Sequence, residues 1–147
     1  MARMIFVNLP VADLDRAIAF YKAVGAEQNY QFSDETAAMM VFSDAIHVML
    51  LTHDKFRQFT PKRIADAHET TEVLLALSAE SRAEVDEMVE KALSAGGSEP
   101  RASEDHGWMY GRSFEDPDGH IWEPVWMDFE AASGAAGAGS PEPGETR

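Results

Sequence analysis

Twice along this chain of 147 residues, a short apolar stretch of strand character runs into an amphipathic helical pattern that stops at glycine, and three more strand-like stretches follow each time. That repeated order constrains the fold more than any other feature. In the first half, Ile5 to Pro10 reads as a strand, Asp13 offers a helix N-cap, and Leu14, Ala17, Ile18, Tyr21 and Val24 recur at helical spacing before Gly25. Strands are expected next near Glu27 to Ser33, Ala37 to Ser43 and Ile46 to Thr52, separated by Ser-Asp pairs that favour turns. In the second half, Glu72 to Ser78 is strand-like, and Ser81 to Glu84 forms a capping box. Val85, Met88, Val89 and Ala92 then make an apolar helix face ahead of Gly96 and Gly97. Strands follow near Ser98 to Ala102, Met109 to Glu115 and Ile121 to Met127, the last two joined by the turn-forming Asp116-Pro117-Asp118-Gly119. The halves share a pattern, not letters. Two βαβββ units, an α+β arrangement with one helix laid on each sheet, are the simplest account.

Size leaves little room for more. At 45% hydrophobic content the chain can bury one good core, so residues 1–130 are expected to form one domain with halves at about 4–59 and 71–128. Beyond Phe129 the run AASGAAGAGSPEPGETR carries no bulky apolar side chain, and 131–147 are read as a disordered tail. The lack of cysteine excludes disulfides, thiolate zinc sites and a cysteine nucleophile, so any metal would sit on oxygen or imidazole. No basic, apolar and small-residue signal opens the chain and no apolar run reaches membrane-span length, so a soluble cytoplasmic protein is expected. A formal net charge of -14 sits almost wholly outside the tail, and such a field repels nucleic acid and anionic membrane surfaces; neither is expected as a partner.

Two segments carry a family likeness: FVNLPVADLDRAIAFYKAVGA from Phe6 to Ala26, and MYGRSFEDPDGHIWEPVW from Met109 to Trp126. In both, and in the spacing between them, the chain from about Met4 to Asp128 resembles the vicinal oxygen chelate superfamily, which includes glyoxalase I, extradiol dioxygenases and the fosfomycin and bleomycin resistance proteins. The resemblance implies paired βαβββ units forming a curved, incomplete mixed-sheet barrel around a divalent metal, a small-molecule ligand, and a homodimer whose sheet edges find a partner.

Carried over position by position, the implied metal set is incomplete. Asn8 stands where the family places His or Gln, a neutral oxygen donor and a weaker ligand. Leu50 aligns with a usual Glu of the fourth strand and cannot bind a metal. Glu72 falls closest to a usual His, and Glu123 matches the final-strand Glu, the residue to which the resemblance also assigns catalytic proton transfer. Two carboxylates and an amide make a hard, weak site, better suited to Mg or Mn than to Fe, Ni or Zn. The alternative is no metal, with Glu123 then needing a partner such as Arg112 or Tyr110.

Other residues are candidates for the pocket or the core. Trp108, Tyr110, Arg112 and Phe114 alternate along one candidate strand, so they share a face and are candidate ligand-binding residues beside Asn8. Phe20, Tyr21, Phe42 and Trp122 read as core. His47 reads as a strand-edge histidine, although a one-residue slip in register would turn it toward the pocket. His53, His68 and His106 fall in apparent loops, and His120 serves the turn or the surface. Lys55, Arg57, Lys62 and Arg63 make the connector 53–70 locally basic, with Thr60-Pro61 a helix start; a solvated loop is the plainer reading and an anion-recruiting rim the sharper one.

Three classes of function follow. A ligand-binding protein with a degenerate metal site, sequestering an antibiotic or metabolite, fits the missing ligands best. A divalent-metal-dependent lyase or isomerase acting on vicinal oxygens is the runner-up, and a partner-binding domain without a working pocket has no positive support.

Overall fold

The computed structural model describes residues 3–133. Strand β1 (Ile5–Val11) leads into α1 (Leu14–Ala23), then β2 (Glu27–Asn29), β3 (Ala37–Val41), β4 (Ile46–Thr52) and a four-residue α2 (His53–Phe56). The second half comprises β5 (Leu75–Ser78), α3 (Arg82–Ser94), β6 (Glu104–Asp105), β7 (Met109–Gly111), β8 (Phe114–Glu115) and β9 (Ile121–Met127). Residues 129–133 are helical, and 134–147, most of the expected tail, lie outside the described residues.

The strands make two mixed sheets that do not close into a barrel, ordered β1-β4-β3-β2 and β5-β9-β7-β6, with β8 also on β9. In each sheet the first strand of the half runs parallel to the last. Counted as one strand broken at Arg112 and Ser113, β7 and β8 give the second half the connectivity of the first.

Local chemistry sets the element ends. Asp13 is extended and its carboxylate accepts the Arg16 N–H at 3.1 Å, which starts α1, and Gly25 ends it at φ 113°. Ser81 caps α3 through the Glu84 N–H, but the Glu84 carboxylate reaches back to Glu80 N at 2.7 Å, not to the cap residue itself. The second strand is shorter than its composition suggests, because the Asn29 side chain accepts from Gln31 N and folds Tyr30–Phe32 into a 3-10 turn. The stretch 98–102 reduces to a single bridge between Ser98 and Glu115, since Pro100 has no N–H for a ladder. Likewise the first strand of the second half starts at Leu75, three residues later than expected, and leaves 71–74 exposed.

One hydrophobic cluster joins the halves. Ala17, Phe20 and Tyr21 of α1, with Val24 at its C-cap, meet Leu9, Val48 and Leu50 of the first sheet, Val89 and Ala92 of α3, and Phe114 and Trp122 of the second sheet. Burying each large side chain contributes about 1.5–3 kcal/mol. A polar link runs through this core: the Tyr21 hydroxyl donates to Asp116 Oδ2 at 2.6 Å and accepts from Trp122 Nε1 at 2.9 Å. Asp116 Oδ1 meanwhile accepts the Asp118 and His120 N–H groups of the turn. Burial raises the Tyr21 and Asp116 pKa values. The Asp-Pro-Asp-Gly turn is thereby fixed to α1.

Candidate functional site

Strand register decides which side chains can meet in a pocket. Asn8 pairs with Met49, and Phe6 with His47, so these four share the face of the first sheet turned away from α1. Leu50 lies on the other face, fully buried in the core. Its expected place at a metal position is therefore corrected by one residue: the β4 side chain beside Asn8 is Met49, a thioether that a hard cation does not favour. The same shift turns His47 inward from its expected strand-edge role. Its ring stacks on Phe6 at 4.6 Å and its buried Nδ1 has no hydrogen-bond partner among the described residues.

The row Trp108, Tyr110, Arg112 and Phe114 does not line a pocket with Asn8. Tyr110 and Arg112 do share a face, but it is the one covered by α3: Tyr110 donates to Asp86 at 2.6 Å, and Arg112 binds Asp86, Glu90 and Glu99 at 2.9 to 3.1 Å. These carboxylates raise the Arg112 pKa, Glu99 foremost, and Tyr110 with Arg112 lowers that of Asp86. Phe114 is wholly buried against Phe20. Trp108 sits beyond the end of β7 beside His106, ring centroids 6.2 Å apart. Two acids flanking the buried face of α3, Asp86 and Glu90, together with Glu99 beyond its end, claim the tyrosine and the arginine.

Glu123 shares the opposite face of the second sheet with Ile121, and its carboxylate lies 3.8 Å from Arg101, one-quarter exposed. It takes no bond from Arg112 or Tyr110. Asn8 and Glu72 do come together, as walls of one cavity of about 330 Å³ between the halves, but Glu123 does not line it. Among the described residues no group of three or more His, Asp or Glu side chains could hold a metal ion. The donor set is thus one amide, one carboxylate and a distant second carboxylate, which does not fit a divalent cation.

The cavity has a different character from the one the metal reading expects. Pro10, Phe56, Ile64, Val73, Leu75 and Ile121 give it apolar walls, and Lys62, Arg63 and His120 stand with Asn8 and Glu72 among its polar groups, beside three threonines, Thr60, Thr70 and Thr71. His120 Nε2 donates to the Pro10 carbonyl at 2.8 Å, so this histidine ties the turn to β1 as well as lining the space. The connector closes the cavity from outside. Thr52 caps α2, a 3-10 turn at Arg57–Phe59 follows, and Thr60 Oγ1 accepts from Lys62 N in a tight turn, where a helix from Pro61 was expected. Gly119 then seats the connector on the hairpin: at φ 94° it brings its Cα so close that a Cβ would lie 2.7 Å from the backbone of Ala67 and His68. In the sequence, the basic run of the connector, Lys62 and Arg63 included, is the signal of its place at the cavity.

Comparisons with known proteins agree with the topology. The family model for the glyoxalase/bleomycin resistance protein/dioxygenase superfamily matches residues 3–123. A hypothetical protein from S. aureus, SA1046, is 27% identical with a TM-score of 0.72, over 86% of this chain and 95% of that one. The fosfomycin resistance protein FosX from Mesorhizobium loti is 17% identical with a TM-score of 0.62, over 90% and 96%. The bleomycin resistance determinant encoded on transposon Tn5 is 20% identical with a TM-score of 0.61, over 86% and 99%. No curated protein matches the chain. With its paired sheets and the match over both halves, the chain belongs to the glyoxalase/bleomycin resistance protein/dioxygenase superfamily.

Proposed function

We propose that this protein binds a small organic molecule in the cavity between its halves and does so without a metal ion. The observation that supports the reading is the cavity itself: about 330 Å³ with mainly apolar walls and a few polar groups, the character of a small-molecule site. Val73 is 54% exposed although it lines this space, so apolar surface is left for a ligand to cover. Sequestration of an antibiotic or metabolite is a task such a site serves by shape, and a bleomycin resistance determinant and a fosfomycin resistance protein are among the structural neighbours.

The test is thermal unfolding of the metal-stripped protein with a panel of small organic compounds, repeated with Mg, Mn, Fe(II), Ni and Zn ions. A compound held at a hundred times its Kd stabilises the native state by about 2.7 kcal/mol. The expected result is the same stabilisation with chelator as with metal, and its loss in Asn8→Trp, whose indole fills the cavity from an exposed strand position. Stabilisation that appears only with an added ion, and disappears in Glu123→Ala, would instead establish the metal-dependent lyase or isomerase.

A further inference from the structure

On the outer side of the connector lies a second, wider chamber of about 840 Å³. Lys62, Arg63, Ile64 and Ala65 of the connector line both spaces, as do Pro10 and His120, so the two are adjoining chambers with the connector as part of their common wall. Their chemistry differs. The outer one gathers Arg16, Arg57, Lys62 and Arg63 against the carboxylates of Asp66 and Asp118, in a chain whose net charge is -14. Asp66 and one oxygen of Asp118 are engaged locally, while the buried Asp118 Oδ2 has no hydrogen-bond partner among the described residues. Asp118 accepts the Ala12 N–H at 2.8 Å with Arg16 3.8 Å away, and Asp66 accepts the His68 N–H at 3.0 Å.

Lys62 and Arg63 are set apart from the other cations of this region. Arg16 faces Asp118 and Arg57 holds Asp54 at 2.8 Å, whereas no carboxylate pairs with Lys62 or Arg63 among the described residues. In an acidic protein, cations gathered around a cavity keep a local positive potential that draws anions. Glu72, on the inner side, is exposed and joins none of the ion pairs among the described residues.

We propose that the ligand is an organic acid whose apolar body occupies the inner cavity and whose anionic head rests against Lys62 and Arg63 at the common wall. The inference depends on the small-molecule reading above and gives that ligand its charge. Apolar walls alone accept a neutral compound as readily as an acid. The unpaired cations are what separate the two.

The experiment is calorimetric titration of the whole protein with matched pairs, 3-phenylpropionate against 3-phenylpropan-1-ol and octanoate against 1-octanol. In wild type at low salt the better-fitting acid should bind at least about tenfold more tightly than its alcohol, an advantage that shrinks as salt screens the pair. In the Lys62→Ala/Arg63→Ala double variant that advantage should fall to within about twofold while the alcohol binds as before. Lys22→Ala/Lys91→Ala removes the same net charge away from both chambers and should keep the preference. Alcohols that bind as well as acids to wild type overturn the inference and leave the small-molecule reading standing. Equal loss in the two double variants overturns it as well, because net charge and not the wall would then be responsible. Failure of every acid and alcohol to bind sinks both readings.

Discussion

Two groups of cations in this protein have opposite fates. Arg112 lies under α3, 13% exposed, with Asp86, Glu90 and Glu99 all within 3.1 Å and Tyr110 sharing one of its partners. Lys62 and Arg63 lie on the connector, exposed, and line two chambers with no carboxylate paired to them among the described residues. An arginine whose donors are already taken holds the fold together and has nothing left for a ligand. Cations without partners add little to the fold and keep their capacity for something else. In this chain Arg112, a candidate ligand-binding residue from the sequence, is held by the fold, whereas Lys62 and Arg63 of the connector line open space.

The largest effect expected from this contrast is on stability. Arg112→Ala removes the one cation among three carboxylates and leaves like charges facing each other in a half-buried site, so it should cost about 3 kcal/mol in urea unfolding. Lys62→Ala breaks no pair and should stay within about 0.5 kcal/mol of wild type. A loss below that level in Arg112→Ala would show the α3 cluster to be a set of weak surface pairs, and the contrast would collapse.

Next in size is a change that joins the two regions. Gly119→Ala places a methyl group against the Ala67 and His68 backbone at a φ of 94°, and strain of both kinds should cost about 2 kcal/mol. Because the connector must move to admit it, ligand affinity in the inner cavity should fall along with stability. A variant that loses stability but keeps its affinity would show that the connector's seat on the hairpin does not shape the cavity.

The legibility of this chain follows from how far each determinant reaches. Element order and both helix faces could be read because they rest on local signals: the Asp13 cap, the 3.6-residue recurrence of Ala17, Tyr21 and Val24, and Gly25 at positive φ. The register of β4 could not. Its segment IHVMLLT is apolar on both faces, with Val48 and Leu50 toward the core and Met49 and Leu51 away from it, so alternation gives no sign of which face is which. Tyr110 and Arg112 alternate onto one face, but of the acids that claim it Asp86 and Glu90 lie 22 to 26 residues earlier, on a helix whose angle no local pattern shows, and Glu99 lies 13 residues before Arg112. For the same reason Lys62 and Arg63 carry no periodic signal. The contact that seats their connector joins Ala67 to Gly119 across the chain, and only the fold brings the two together.

The smallest effect concerns a pair between the extremes. Arg82 donates to both Asp105 oxygens, at 2.7 and 2.9 Å, and its guanidinium also lies over the Tyr110 and Trp126 rings. The Arg82 hydrogen bonds, with help from the Gly107 N–H, hold the Asp105 pKa down to about 2. A depressed carboxylate is protonated more readily in the unfolded chain, so its stabilisation is complete above the ordinary value of 3.8 and fades as pH falls toward about 2. Urea unfolding of wild type and Arg82→Ala should therefore show a modest gap at neutral pH that narrows as pH falls through that window. Asp116, whose raised pKa acts with the opposite sign, is present in both proteins and cancels in the difference. The gap should narrow without closing, because the contacts of Arg82 with the two rings do not titrate in this range. A gap that stays constant with pH would assign the whole effect of Arg82 to those rings. Lys62→Ala, which removes no carboxylate partner, should show no narrowing at all, so the same titration distinguishes a cation used by the fold from one left free.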